Sequence, residues 1–87
     1  MNTDGGAYRV VFFCVECGKP ATEVRTGTEG EMLLGLRCDS CNHQASGDPV
    51  AELLARAHRE AAYSLKDGTE LGWGDFPFRA RIVVAAS

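Results

Sequence analysis

Four cysteines constrain this chain more than any other feature. They fall as Cys14-x2-Cys17-x20-Cys38-x2-Cys41, two close pairs separated by twenty residues. Two residues between cysteines let both sulfurs of a tight turn point at one ion. Twenty between the pairs suffice for an antiparallel hairpin that returns the second turn beside the first. Four thiolates then close a tetrahedral sphere of the structural zinc type, with no position left for substrate. The expected ligands are Cys14, Cys17, Cys38 and Cys41, around one zinc ion. A disulfide framework is the competing use of cysteine. Against it, Met1 to Gly6 shows neither a basic nor an apolar signal region, so no signal peptide is expected. A disulfide within Cys-x-x-Cys would also staple almost nothing. Thiol–disulfide exchange needs an exposed thiol of low pKa at a helix N-terminus, whereas all four cysteines fall at expected β-turns.

A staple suits the size of the chain. With 87 residues there is material for one small core and one domain, marginal in stability without added cross-links. At 45% hydrophobic and 24% charged, the composition is that of an ordinary soluble globular protein rather than a disordered one. No run approaches a membrane span, and a cytoplasmic location is expected. Nine Lys and Arg against twelve Asp and Glu give a net charge of −3. Four thiolates around a divalent ion would bring this to about −5. Broad, sequence-independent nucleic-acid binding rests on displaced counterions and suits so acidic a chain poorly. The balance favours a protein partner.

The patterning yields an α+β fold. Residues 1–7 read as a flexible tail. Tyr8–Phe13 is β-branched and aromatic and reads as a strand entering Cys14. Ala21–Thr26 reads as a second strand, with Thr22, Val24 and Thr26 on one face. Gly27–Gly30 reads as a turn, and Glu31–Arg37 as a third strand with Met32, Leu34 and Leu36 together. After the second cysteine pair the period changes. Asp48 is the expected N-cap, with Pro49 at the first helical position. Val50, Leu53, Leu54, Ala57, Ala61 and Leu65 form the stripe of a helix over about 49–66, stopped by Gly68. That stripe is expected to pack on the sheet. Arg79–Ala85 reads as a final strand. The segments are a tail (1–7), a metal ribbon (8–43), a helix (48–67) and an aromatic loop with final strand (69–87).

Tyr8–His43 resembles a zinc ribbon, with knuckles Cys-Val-Glu-Cys-Gly-Lys and Cys-Asp-Ser-Cys-Asn-His. The resemblance covers about 40% of the chain. It implies a β-hairpin carrying the metal at one end, and a residue tolerant of positive φ after each second cysteine. Gly18 fits this, and Asn42 stands where glycine is usual. Similar knuckles hold iron in rubredoxin-like sites. Ribbons serve in transcription, translation and many adaptors, so the resemblance implies metal and fold rather than activity. Glu29 and Glu31 sit where transcript-cleavage ribbons carry an acidic tip, but the adjacent Asp-Glu pair of that activity is absent. No enzymatic motif appears, and the chain is expected not to be an enzyme.

Three further features bear on binding. His43, two residues beyond Cys41, reads as a polar neighbour of the knuckle or a substitute metal ligand, and His58 as a surface histidine without a partner. Trp73, Phe76 and Phe78 follow no strand or helix period; they read either as a small core against the helix end or as candidate anchors for a protein partner or a second copy in a homodimer. Arg9, Arg25, Arg37, Arg79 and Arg81 would gather opposite the helix if their strands share one sheet, giving a nucleic-acid surface. The leading reading is a small protein-interaction adaptor or regulator. The alternative is a nucleic-acid-associated zinc ribbon.

Overall fold

The computed structural model describes residues 8–28 and 32–85. Seven elements run in the order β1 (Tyr8–Cys14), β2 (Thr22–Thr26), β3 (Met32–Cys38), β4 (His43–Ser46), α1 (Asp48–Tyr63), β5 (Glu70–Leu71) and β6 (Phe78–Val84). The fold is α+β. The expected tail over residues 1–7, Glu29 and Gly30 of the hairpin turn, and Glu31 lie outside the described residues.

The strands form two antiparallel sheets rather than one. The first has the order β1-β6-β5 and the second β2-β3-β4. In the first, Tyr8 to Cys14 pair without interruption against Val84 to Phe78. The two-residue alternation is therefore kept along both strands. Phe12, Cys14, Phe78, Ala80 and Ile82 are buried on one face, while Arg9 and Arg81 are exposed on the other.

The second sheet breaks this alternation once. Val24 pairs with Gly35 but Arg25 pairs with Leu33, so Leu34 is an extra residue in β3. Such a bulge reverses which parity faces the core. Leu36 is buried and Leu33 packs against the core, while Met32 and Leu34 are exposed. The expected common face of Met32, Leu34 and Leu36 is thus corrected: only Leu36 of the three lies inward. β4, which the sequence reading passes over, pairs Ala45 with Leu36 and His43 with Cys38.

Helix α1 covers the core through Val50, Leu53, Ala57 and Ala61. Leu54 packs against the core but is only partly buried. The cap differs from expectation. Gly47 is the N-cap, and its carbonyl accepts from the Ala51 amide at 3.1 Å, so Asp48 already belongs to the first turn. There its carboxylate faces the positive end of the helix dipole. The helix also stops earlier than expected, since Ser64 is extended. The cause lies downstream. Gly68 donates to Ile82 O at 2.8 Å, and Ile82 donates to Thr69 O at 2.8 Å, which draws this segment alongside β6. Leu65 is left exposed instead of completing the stripe.

Candidate metal centre

Cys14 ends β1 and Cys38 ends β3, so the first cysteine of each pair is fixed by a strand from a different sheet. The two turns that follow repeat one geometry. Gly18 donates to Cys14 O at 2.8 Å, and Asn42 donates to Cys38 O at 2.8 Å. Gly18 has φ 74° and Asn42 φ 63°, the left-handed region that the zinc-ribbon resemblance implies after each second cysteine. Each turn therefore folds its second cysteine back toward the first. The turns are tied together by Lys19 Nζ to Ser40 Oγ at 3.2 Å. The first is also pinned to the loop before β6, where Val15 donates to Pro77 O at 3.0 Å.

The four Sγ atoms all lie within 4.8 Å of one another, and Cys17 and Cys38 approach to 3.6 Å. A tetrahedron with metal–sulfur bonds of about 2.3 Å has sulfur–sulfur edges of about 3.8 Å. The sulfurs are thus spaced for a single ion between them. Cys14 and Cys38 are buried, Cys41 is partly covered and Cys17 is exposed, so the site is open to solvent on one side. The four thiols differ chemically. A hydrogen bond from the Cys41 amide to Cys38 Sγ, at 3.4 Å, is the main cause that lowers the Cys38 thiol to about 7. Desolvation, and then hydrogen bonding with the neighbouring thiols, pushes Cys41 up to about 12. A cation would reverse this by taking the place of the shared protons. His43, on the first residue of β4, places Nδ1 3.7 Å from Cys14 Sγ. It is a polar neighbour outside the sulfur cluster.

The other candidate residues are dispersed. Phe76 and Phe78 are core residues, at 9% and 0% exposure, which corrects the expectation that they face a partner. Their irregular spacing reflects a loop that folds inward. Phe76 stacks on Trp73 at 4.7 Å between ring centroids and meets Phe78 edge-on at 6.1 Å. Trp73 is partly exposed, with the Arg56 guanidinium 5.0 Å from its ring centroid.

The arginines do not share a sheet. Arg9, Arg79 and Arg81 are on the first, Arg25 and Arg37 on the second. Three of the five hold carboxylates: Arg25 with Glu23, Arg37 with Asp39 at 2.9 Å, and Arg81 with Glu70 at 2.9 Å. Arg81 also lies 4.7 Å from the Phe13 ring centroid.

Two arrangements escape the sequence reading. His58 is not without a partner, since the Tyr8 hydroxyl lies 2.7 Å from its Nδ1. Glu52 accepts from both Arg56 at 3.0 Å and Arg59 at 3.1 Å, which lowers its pKa. The helical i,i+4 and i,i+7 spacings were a signal for the second but nothing local signalled the first. Among the described residues, no helix is long and apolar enough to cross a membrane. No protein family, characterised protein or solved structure matched the chain when compared with it.

Proposed function

We propose that this chain is a small zinc-ribbon protein, with one structural zinc held by Cys14, Cys17, Cys38 and Cys41, that works as a protein-interaction adaptor or regulator. One observation carries the metal part: four sulfurs spaced for one tetrahedral ion, on two turns of matched geometry. Four protein ligands fill that sphere, so the ion cross-links the two sheets and offers no site for catalysis. When bound, zinc supplies that cross-link and the charge that keeps four thiolates together. No catalytic residue belongs to this reading.

The adaptor part is supported by the acidic charge balance and by Trp73. That residue is partly exposed and lines a shallow surface groove of about 390 Å³ together with Pro49, Glu52 and Arg56. Rigid tryptophans of this kind are frequent interface anchors. The nucleic-acid alternative is weakened by the division of the arginines between two sheets and by their carboxylate partners.

Elemental analysis with thiol titration tests the metal. One zinc per chain, with thiols that react only after chelation, is the expected result. Iron at the same ratio would replace the ion but keep the site, and two intramolecular disulfides would end it. A salt series with generic DNA and RNA tests the alternative. Micromolar binding that weakens steeply with salt would favour it over the adaptor.

A further inference from the structure

Helix α1 carries apolar side chains on more than the face that covers the core. Beside Val50, Leu53, Ala57 and Ala61 runs a second line, Ala51, Leu54, Ala55, His58 and Ala62, at one-, three- and four-residue steps. Ala51, His58 and Ala62 are exposed, and Leu54 and Ala55 are half-buried. The first four of them line an open groove of about 390 Å³ with Met32 and Leu33 of β3. Only the His58 ring interrupts its apolar lining. Met32, at 58%, is the most exposed large aliphatic side chain among the described residues.

The far rim of the groove is charged. Glu52 and Arg59 lie seven residues apart, so they share one line of the helix, next to the second stripe and turned further from the core. They already form an ion pair within one chain, at 3.1 Å. This rim is complementary to itself when the helix is reversed. If a second α1 is laid antiparallel along the stripe, about a two-fold axis between Ala55 and Arg56, Glu52 is level with Arg59 of the second copy and Arg59 with its Glu52. The same axis sets Leu54 between Ala55 and His58 of the second copy, and Ala51 between its His58 and Ala62. The side chains then interlock rather than collide. A two-fold axis also keeps like flank beside like flank. The four charges gather on one side of the helix pair, and Met32 and Leu33 of both copies meet on the other.

We propose that two copies of this chain associate through the groove between α1 and β3, with their helices antiparallel and Glu52 of each paired with Arg59 of the other. The contact is isologous, with the same surface from each copy, and it closes as a dimer. Glu52 and Arg59 set its register. A slip of one helical turn breaks both pairs, setting Glu52 against Tyr63 in one direction and against Ala55 in the other. Arg56 takes no part, being drawn to the Trp73 ring. The partner is a second copy of this chain, because the charge complementarity is to its own helix. Trp73 itself stays uncovered, so the contact is separate from the adaptor surface.

Sedimentation equilibrium of the metal-loaded protein tests this. A dimer that dissociates on dilution is expected. Arg59→Glu sets carboxylate against carboxylate at both ends of the contact and should raise the dissociation constant by roughly tenfold or more. Glu52→Arg does the same with two pairs of cations. Mixing these two single variants restores both opposite-charge pairs and should give a mixed dimer tighter than either alone, a gain that no loss of folding can produce. Should Arg59→Glu lose its helical spectrum, Met32→Lys replaces it, since it brings two ammonium groups to the apolar flank without altering α1. Trp73→Ala should leave the dimer intact. A wild-type protein that stays monomeric up to about 1 mM overturns the proposal. So does a dimer that Trp73→Ala dissociates, or one whose strength ignores both Arg59→Glu and Met32→Lys.

Discussion

The two sheets have three strands each and are held in different ways. Sheet β1-β6-β5 buries five side chains from two strands, in unbroken alternation, beneath α1. Among the described residues, sheet β2-β3-β4 buries only the side chains of Leu36 and Cys38 and leaves Val24, Met32 and Leu34 in solvent. It carries a bulge at Leu34, and one of its two buried side chains is a metal-site cysteine. Apolar burial accounts for the first sheet without help. The second has less of it: Leu36 is buried, and Leu33 and Ala45 are partly buried against the same core. Besides that core, the Phe13–Pro20 bridge and the Ala21–Phe12 hydrogen bond, it meets the first sheet where Cys38 and Cys41 join Cys14 and Cys17 in the sulfur cluster. A metal held by the four cysteines would therefore add more to the second sheet than to the first.

Metal removal should show this most strongly. Structural zinc binding contributes about 10–16 kcal/mol in small peptide sites, more than any single side chain supplies. Chelation, or Cys38→Ser, is expected to expose the amides of β2, β3 and β4 to hydrogen exchange before those of β1 and β6. Equal loss of protection in both sheets would break the comparison. The proton dependence has a definite sign. Cys41 holds its proton up to about 12 without metal, so loading the site must release it. Affinity should fall as pH falls, because protons compete for the same sulfurs. A chromophoric competitor titrated between about pH 8 and 6 measures the slope.

Next in size is the core of the first sheet. Phe78 is fully buried and packs against Phe76. Phe78→Ala should cost about 3–5 kcal/mol. Leu34→Ala, a comparable deletion on the second sheet, should stay within about 0.5 kcal/mol, because its side chain is 44% exposed. Urea unfolding of the two variants makes the contrast. Near-equal losses would mean that Leu34 is covered in solution.

The same contrast explains what was legible from sequence. The cysteine spacing alone placed the metal site, because a knuckle is a local turn and needs no distant contact. The faces of β1 and β6 were legible because strict alternation survives in both strands. In β3 the alternation was misread, since nothing in Met-Leu-Leu-Gly-Leu marks Leu34 as the extra residue. The bulge arises where β3 meets β2, a non-local event. The helix end was misread for a similar reason. Leu65 fits the stripe, but hydrogen bonds between Gly68, Thr69 and Ile82 remove the chain from the helix first. The sequence leaves Phe76 and Phe78 open between core and surface, because an irregular aromatic run has no period and only the assembled core shows where a loop turns inward. The arginines were grouped on the assumption of one sheet, and pairing between strands far apart in sequence divided them.

A smaller effect is expected at Gly35, where the second sheet is tight despite its exposure. A Cβ built there would lie 2.8 Å from Ala45 O in β4, a backbone atom that cannot rotate away. Gly35→Ala should cost about 1–3 kcal/mol through displacement of β4. Loss of protection confined to β3 and β4 amides would locate the strain. An unchanged melting temperature would show that β4 yields freely.

The smallest effects compare the two knuckles. Gly18 and Asn42 occupy the same left-handed position and make the same hydrogen bond to the first cysteine. A Cβ added at Gly18 meets nothing within 4 Å, so the cost of a substitution there is conformational alone. Gly18→Ala should therefore lose about 1 kcal/mol. Gly18→Asn should lose less, since asparagine tolerates positive φ and already serves at Asn42. At Asn42 the order reverses. Asn42→Gly removes the residual strain of a side chain in this region but loosens the unfolded chain. Its net change should stay within about 0.5 kcal/mol in either direction. If the knuckles are equivalent, the double exchange, Gly18→Asn with Asn42→Gly, should leave both metal affinity and melting temperature close to those of the original chain. The loss should match the sum of the single changes, because each turn makes its own bond to its own cysteine. A larger loss would show that the knuckles are coupled through the Lys19–Ser40 contact, and that the two halves of the metal centre are not independent turns.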